Sequence, residues 1–408
     1  MKLRKKQNAI QNKQEEQHLR NLFFKKLQQT IALIGDASAI ALLDKKKLEF
    51  IHHYRIRPHK IIAQNNSKQK SLARVLDMLN KTLNEQLHKT FIDVGEKKIR
   101  FNLTDFTVYI ETLYIYWLAI EEKCSETESR FKACFPLFYD NFTETRAHAT
   151  LEVKQKLDMV AWLYSDMTKQ TIRFVPEKIN RTSATSTSEF YNNYIMTENE
   201  PETETLEIDG HKRTIYRVCA TTAEAFIPLT ITPERLGMNG MLQKFPLRVF
   251  IQMHAFERIE IRLGKLFRMF HYPYIIIALL KADLIPANEK NSFLIPVTND
   301  ITRLGYLKAD VTGDKFVIRT FLFLTNNGTP EGKKLNHLIG LQKADKKYLG
   351  IDKLSTFIQS DIKNDEKLKA LFYEAGCGDL FKLNKTMLDD PGDKELVTAD
   401  YISRYLGL

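Results

Sequence analysis

The stretch "RVFIQMHAFERIEIRLGK" contains the residues of this chain best suited to chemistry. His254, Arg258 and Arg262 are spaced four residues apart, so a helix would place them along one side, and Lys265 extends the same stripe. An imidazole titrates near neutral pH and can act as a general acid or base. Guanidinium groups can clamp a phosphate and stabilise a charged transition state. This combination suits phosphodiester cleavage, and RNA cleavage in particular, because the 2′-OH of RNA can be the nucleophile without a metal.

The same spacing also fits an ordinary amphipathic helix, whose His and Arg side chains are simply solvated. Apolar residues in and just after the stretch would then form the buried side: Met253, Phe256, Ile259, Leu263, Leu266 and Phe267. The helix alone leaves both interpretations open.

The elements that must position this helix have an α+β pattern from about residue 240 onward. A helix over roughly 250–270 is broken by Pro273, and a short apolar helix follows to about Leu284. Alternating runs then predict three strands, at Phe293–Val297, Thr302–Val311 and Phe316–Thr325. A turn at Thr312-Gly313-Asp314 joins the last two strands, and residues 331–383 have a helical pattern.

This order of elements resembles the barnase–EndoU–colicin–RelE superfamily of ribonucleases, including its phage- and toxin-associated branches. The resemblance covers about residues 245–335 and is carried by "MHAFERIEIRL", "RLGYLKADVTGDKFVIRTFLFLT" and the turn "GTPEG". Members of that superfamily are typically metal-independent nucleases. The resemblance implies that His254 is the acid or base and Arg258 a phosphate ligand, with Arg319 or Thr320 as their partner on the sheet.

Strand alternation separates those two partners. Thr320 shares its face with apolar residues that predict the core side: Phe316, Ile318, Leu322 and Leu324. Arg319 lies on the other face and is predicted to be the accessible one. These strands carry no second histidine and no glutamate, so a protein that keeps this fold without catalysis is an open alternative.

The N-terminal half is predicted to be mostly helical. Residues 1–30 form a basic helical arm, because residues 1–26 contain eight Lys or Arg against two Glu, and 31–178 form a helical domain. Within that domain, "HHYRIRPHK" interleaves Arg55, Arg57 and Lys60 with an aromatic residue, as nucleic-acid surfaces do. The alternative is a basic loop between two helices.

The remaining boundaries follow from shifts in composition. Residues 179–240 are predicted to be a Ser/Thr-rich and acidic linker plus a β-hairpin, "TLEIDGHKRTIYRV", which turns at Asp209-Gly210. Residues 241–385 form the ribonuclease-like domain and 386–408 a C-terminal tail. The predicted fold class is α+β: a mostly helical N-terminal domain followed by a small antiparallel-sheet domain with packed helices.

Composition limits the partners and the functions. A net charge of +11 favours polyanions, with RNA the favoured nucleic acid, and no apolar run reaches the roughly 18 residues of a membrane span. The four cysteines have no metal-ligand spacing, so neither a metal nor a cofactor is predicted, and the expected location is cytoplasmic. We predict an endoribonuclease or ribonuclease-fold effector. The alternatives are a non-catalytic nucleic-acid-binding or assembly protein of phage or mobile-element type, and a purely structural protein; a protein partner or a homo-oligomer is also open.

Overall fold

The computed structural model describes most of the chain and divides it into two compact units. The described residues are 2–64, 70–120, 125–139, 142–177, 192–222, 225–237, 245–264, 271–299, 302–383 and 398–407. Unit 1 comprises Met1–Val160 and Phe174–Thr197, and unit 2 comprises Ala161–Arg173 and Glu198–Leu408.

The first part of the chain is mostly helical. Its helices are α1 (Lys2–Ile34), α2 (Lys45–His53), α3 (Lys70–Lys89), α4 (Leu103–Asp105), α5 (Glu111–Ala119), α6 (Glu126–Ala133) and α7 (Phe142–Tyr164). Its strands are β1 (Lys60–Ala63), β2 (Phe91–Val94), β3 (Ile99–Asn102), β4 (Thr171–Pro176) and β5 (Asn193–Asn199). β2 and β3 form a hairpin, and a second sheet has the order β1-β5-β4 with β1 parallel to β5.

Helix α1 includes the whole predicted basic arm. Its C-terminal half joins the core of unit 1, because Phe23, Leu27 and Ile31 are spaced four residues apart and are all buried. Lys26 on the same helix pairs with Asp105, with 3.2 Å between Nζ and Oδ1. The cationic arm is therefore attached to the fold at its C-terminal end.

The apolar segment "TDFTVYIETLYIYWLA" is helical and largely buried, and it contains one wider π-helical turn at Phe106–Ile110 between α4 and α5. This turn carries Thr107, whose hydroxyl lies 3.3 Å from Nε2 of the buried His59. The hydroxyl of Tyr194 lies 3.1 Å from the other ring nitrogen, Nδ1. Both nitrogens of His59 are therefore satisfied by neutral groups.

Burial makes His59 a source of acid sensitivity. It lowers the pKa of this imidazole from 6.5 to about 4 in the folded protein. Between these two pKa values the unfolded chain binds a proton that the folded chain does not. The contribution of the neutral His59 to the free energy of unfolding is therefore complete above about pH 6.5 and is lost as the pH falls toward 4. We expect the loss to reach about 3 kcal/mol. Urea denaturation between pH 7 and 4 measures it; a His59→Gln variant with the same pH slope would contradict the assignment.

Unit 2 contains the main sheet. The helices that follow α7 are α8 (Met253–Leu263), α9 (His271–Lys281), α10 (Pro330–Ile339), α11 (Lys343–Tyr348), α12 (Leu354–Gln359), α13 (Glu366–Glu374) and α14 (Ala399–Leu406). The strands after β5 are β6 (Thr203–Ile208), β7 (His211–Arg217), β8 (Cys219–Thr221), β9 (Phe226–Pro228), β10 (Thr230–Ile231), β11 (Leu247–Gln252), β12 (Ile285–Pro286), β13 (Ser292–Asn299), β14 (Thr302–Thr312) and β15 (Lys315–Phe323).

The sheet of unit 2 has the strand order β12-β13-β14-β15-β11-β7-β6, and β10 also pairs with β11. The predicted antiparallel strands β13, β14 and β15 are confirmed, and the α+β class is shown. The sheet is larger than these three strands, because β11 joins β15 as a parallel neighbour and brings in the β6–β7 hairpin. Apolar residues on one face pack against the helices, among them Val249 and Ile251 of β11 and Phe316 and Ile318 of β15.

The hairpin predicted at Asp209-Gly210 is confirmed. Ile208 pairs with His211, and the two turn residues have φ of 51° and 73°, which is the geometry of a type I′ turn. The acidic run before it is mostly strand rather than loop: β5 and β6 occupy it on either side of the short connection 200–202, while 178–191 lie outside the described residues. Its carboxylates meet cations of neighbouring strands, as in the 2.8 Å pair between Glu204 and Arg248.

Among the residues that the structure describes, none of the helices has both the length and the apolar character that crossing a membrane requires.

Candidate active site

A cleft of about 900 Å³ lies within unit 2. It is enclosed by the first turns of α8, the β6–β7 hairpin, the middle of β14 and β15, the segment 326–328 and the start of α11. Five residues predicted from the sequence line it together: His254, Arg258, Arg262, Arg319 and Thr320. Lys265 lies outside the described residues.

Helix α8 begins directly after β11 and turns its apolar side to the core. Ala255, Ile259 and Leu263 are buried, and His254 and Arg258 lie on the side that faces the cleft. Arg262 lines the same cleft but differs from them in burial, because its side chain is only 6% exposed, so it is not simply solvated as in the alternative interpretation. Each step of four residues advances about 40° around a helix, so two steps bring Arg262 toward the buried face. Met253, predicted to be buried, is exposed and lines the cleft.

His254 lies between a cation and a carboxylate on its own helix. Arg258 Nε donates to His254 Nε2 over 3.2 Å, and Glu257 Oε2 lies 3.5 Å from Nδ1. Because Nε2 accepts a hydrogen bond, the proton of the neutral ring is on Nδ1, toward Glu257. The imidazole is 49% exposed and lines the cleft, so a ligand can reach it.

Arg262 brings a buried positive charge to the cleft. Its guanidinium donates to the carbonyl of Phe321, and among the described residues its Nε has no hydrogen-bond partner. Burial lowers its pKa to about 10; the nearby carboxylate of Asp352 opposes this shift and Arg258 adds to it, so the group remains charged at pH 7. Among the described residues no carboxylate bonds to Arg262 directly, and a buried cation in this position costs free energy that a bound anion would offset. The geometry therefore favours an anion site at Arg258 and Arg262.

Arg319 is held differently, because two carboxylates already compensate its charge. Its Nη1 lies 2.6 Å from Asp310 Oδ2 on β14, and its Nη2 lies 2.5 Å from Asp209 Oδ2 in the hairpin turn. These bonds connect the hairpin turn to the centre of the sheet. Arg319 is therefore less available to an anionic ligand than Arg262, although both line the cleft.

The strand β15 has a β-bulge at Arg319. Lys308 pairs with Thr320 but the next residue of β14, Ala309, pairs with Ile318, so Arg319 has no opposite residue. Two successive side chains, Arg319 and Thr320, therefore line the cleft. The prediction that Thr320 shares the core face of Phe316 and Ile318 is wrong, because after the bulge Phe321 and Phe323 occupy the core.

The cleft also contains polar residues that were not identified from the sequence, in addition to Arg258, Arg262 and Arg319. Among the described residues, seven Lys or Arg side chains and four carboxylates line it in all: Lys212, Arg213, Arg258, Arg262, Lys308, Arg319 and Lys343, with Asp209, Glu257, Glu289 and Asp310. The "HKR" that follows the hairpin turn was the available signal for the first two. Within the described ranges, no group of three or more His, Cys, Asp or Glu is placed to hold a metal ion.

The other predicted nucleic-acid ligands belong to unit 1. Arg55 is half-buried, stacks its guanidinium 5.5 Å from the ring centroid of Phe23 and donates to the carbonyl of His52. Arg57 is half-buried, and Lys60 is exposed at the start of β1. The motif "HHYRIRPHK" thus contributes to packing as well as to surface charge.

Arg262 gives a test of the anion site that does not depend on catalysis. We expect inorganic phosphate to raise the melting temperature of the wild-type protein, because a ligand that binds only the folded state stabilises it. In Arg262→Met this rise should disappear. Without phosphate, the free energy of unfolding should fall by about 1–3 kcal/mol, because the variant loses the buried hydrogen bond to the Phe321 carbonyl and the cation near Asp352. A rise that persists in the variant would place the anion elsewhere.

Comparison with known proteins finds no match to a family model, to a curated protein or to a solved structure. Function is therefore argued from the geometry of the cleft.

Proposed function

We propose that the cleft of unit 2 binds single-stranded RNA and cleaves it by attack of a 2′-OH on the adjacent phosphate. The observation that supports this most directly is the position of His254. Its accessible imidazole, whose Nε2 lies 3.2 Å from Arg258 Nε, lines the same cleft as the buried Arg262, whose own Nε has no hydrogen-bond partner among the described residues. An acid–base group beside an anion site is what phosphodiester cleavage requires.

The two arginines hold the phosphate. Arg258 and Arg262 are four residues apart on α8 and line the same cleft, so in this proposal they bind one phosphate between them. Guanidinium groups form paired hydrogen bonds to phosphate oxygens, and these bonds strengthen as negative charge develops on the oxygens in the transition state.

Two proton transfers accompany the cleavage. The 2′-OH loses its proton as its oxygen bonds to phosphorus; the bond from phosphorus to the 5′ oxygen breaks, and that oxygen gains a proton. The products are a 2′,3′-cyclic phosphate and a 5′-OH. His254 supplies one transfer, and Glu257, 60% exposed and 3.5 Å from the ring, supplies the other. In this proposal Glu257 of α8 is the second acid–base group, which the strands lack.

A second candidate is a nucleic-acid-binding or assembly protein, of phage or mobile-element type, that binds RNA without cutting it. The lining favours it independently of His254, because cations outnumber carboxylates around the cleft. The compensated charge of Arg319 also fits binding better than catalysis.

Cleavage of a defined RNA separates the two candidates. We expect the purified protein in EDTA to cut a single-stranded oligoribonucleotide and to leave a 2′,3′-cyclic phosphate, identified by mass spectrometry. A strand with 2′-deoxy residues throughout should bind and remain intact, because it lacks the nucleophile. Binding without cleavage across varied sequences would favour the second candidate, and absence of both would overturn each of them.

A further inference from the structure

Three tyrosines form an exposed cluster on unit 2, here called the tyrosine platform. Tyr348 at the end of α11 is 63% exposed, and Tyr401 and Tyr405 on α14 are 42% and 46% exposed. The ring centroid of Tyr348 lies 6.2 Å from that of Tyr401 and 6.0 Å from that of Tyr405. Large aromatic side chains that cluster in water are typical of surfaces that bind a partner.

Hydrogen bonds and core packing hold the tyrosine platform in place. The hydroxyls of Tyr348 and Tyr401 share a hydrogen bond, and Tyr405 donates to Asp345 over 2.9 Å. Helix α14 is fixed through the buried Ile402 and through Ser403, which donates to Asp365 over 2.7 Å. The rings are therefore oriented before any ligand arrives, which reduces the entropy lost on binding.

Helix α11 connects the platform to the cleft. Its first residue, Lys343, lines the cleft, and its last is Tyr348, about 8 Å further along the helix axis. Lys347, the neighbour of Tyr348 in the chain, is exposed, whereas Arg404 next to Tyr405 is paired with Asp400. A polyanion that leaves the cleft past Lys343 can therefore follow α11 past Lys347 to an aromatic surface.

We propose that the tyrosine platform stacks bases of the same RNA strand whose phosphate lies in the cleft. Stacking on aromatic rings is the usual way in which proteins bind unpaired bases irrespective of sequence. Lys343 at the cleft and the exposed Lys347 on the same helix suit the backbone of that strand. This inference rests on the proposed function, and it adds that the substrate is unpaired and extends beyond the reacting dinucleotide.

Binding of strands of two lengths tests the platform. Fluorescence anisotropy with the full-length protein would compare a 2′-deoxy hexanucleotide with a 2′-deoxy dinucleotide, neither of which can be cut. We expect Tyr348→Ala and Tyr401→Ala each to weaken hexanucleotide binding about tenfold and to leave dinucleotide binding unchanged. Tyr348→Phe, which keeps the ring, should bind the hexanucleotide within about twofold of wild type.

Tyr373→Ala is the matched control, because this tyrosine is 47% exposed but lies on α13. A hexanucleotide that binds Tyr348→Ala and Tyr401→Ala as tightly as wild type, yet binds Arg262→Met weakly, would overturn the platform and leave the cleft proposal standing. Equal losses in Tyr348→Phe and Tyr348→Ala would exclude stacking. A wild-type protein that binds neither strand would overturn both proposals and direct attention to a protein partner for the tyrosines.

Discussion

Replacing His254 by alanine is expected to lower the rate of RNA cleavage by about 10²–10⁴-fold, the usual contribution of a general acid or base. Binding should change little, because Arg258 and Arg262 remain to hold the phosphate. The fold should also be retained, since the imidazole is 49% exposed and bonds only within its own helix. Single-turnover cleavage with enzyme in excess measures the chemical step without product release.

His337→Ala provides the control for this prediction. His337 is also an exposed histidine on a helix of unit 2, but it does not line the cleft. Its variant should cleave at the wild-type rate. Unchanged cleavage by His254→Ala would show that the acid–base group lies elsewhere or that the activity belongs to another protein in the preparation.

Replacing Gly332 by alanine is expected to destabilise unit 2 by about 3–4 kcal/mol, at or above the upper end of the usual range for overpacking. A Cβ at this position would lie 1.8 Å from the carbonyl oxygen of Asn326 and 2.4 Å from its carbon. These are backbone atoms, so no side chain can rotate away. The backbone of Gly332 is also fixed at both ends, because its N–H donates to Thr329 Oγ1 and its carbonyl accepts from the buried Lys346.

Urea denaturation measures this loss, with Gly340→Ala as the control. Gly340 has a φ of 70° but nothing within 4 Å of an added Cβ, so its substitution costs only the backbone strain, about 1 kcal/mol. Equal losses at both positions would show that the close approach at Asn326 is not what requires glycine. Because Asn326 lines the cleft, Gly332→Ala should also weaken RNA binding at temperatures where the protein is folded.

Local signals explain the parts of the fold that the sequence predicted well. The hairpin at Asp209-Gly210 and the strands β13, β14 and β15 combine alternation with turn residues, and each lies within a few residues of its predicted position. The parallel pairing of β11 with β15 has no such signal, because it joins segments separated by two helices and two long strands. Composition also misled at the acidic run 197–207, where Glu202 and Glu204 pair with Arg248 of a strand distant in sequence.

The residues of the cleft were also predictable only where local spacing was sufficient. The chemical types at His254 and Arg258 were readable from spacing alone, and both side chains do line one cleft. The burial of Arg262 and the compensation of Arg319 depend on neighbours distant in the chain, so no local pattern could reveal them. The position of Glu257 in the sequence fits a solvated helix face equally well. Only the structure shows that it lines the cleft beside His254.

The bulge at Arg319 is an extra residue that the hydrophobic core does not require. Deleting Arg319 would complete the β14–β15 ladder and leave Phe321 and Phe323 in the core, because Thr320 and Phe321 already pair with Lys308 and Leu307. The deletion would remove one of the two successive side chains that line the cleft. Among related chains, the presence or absence of this one residue is therefore expected to follow the use of the cleft rather than the stability of the sheet.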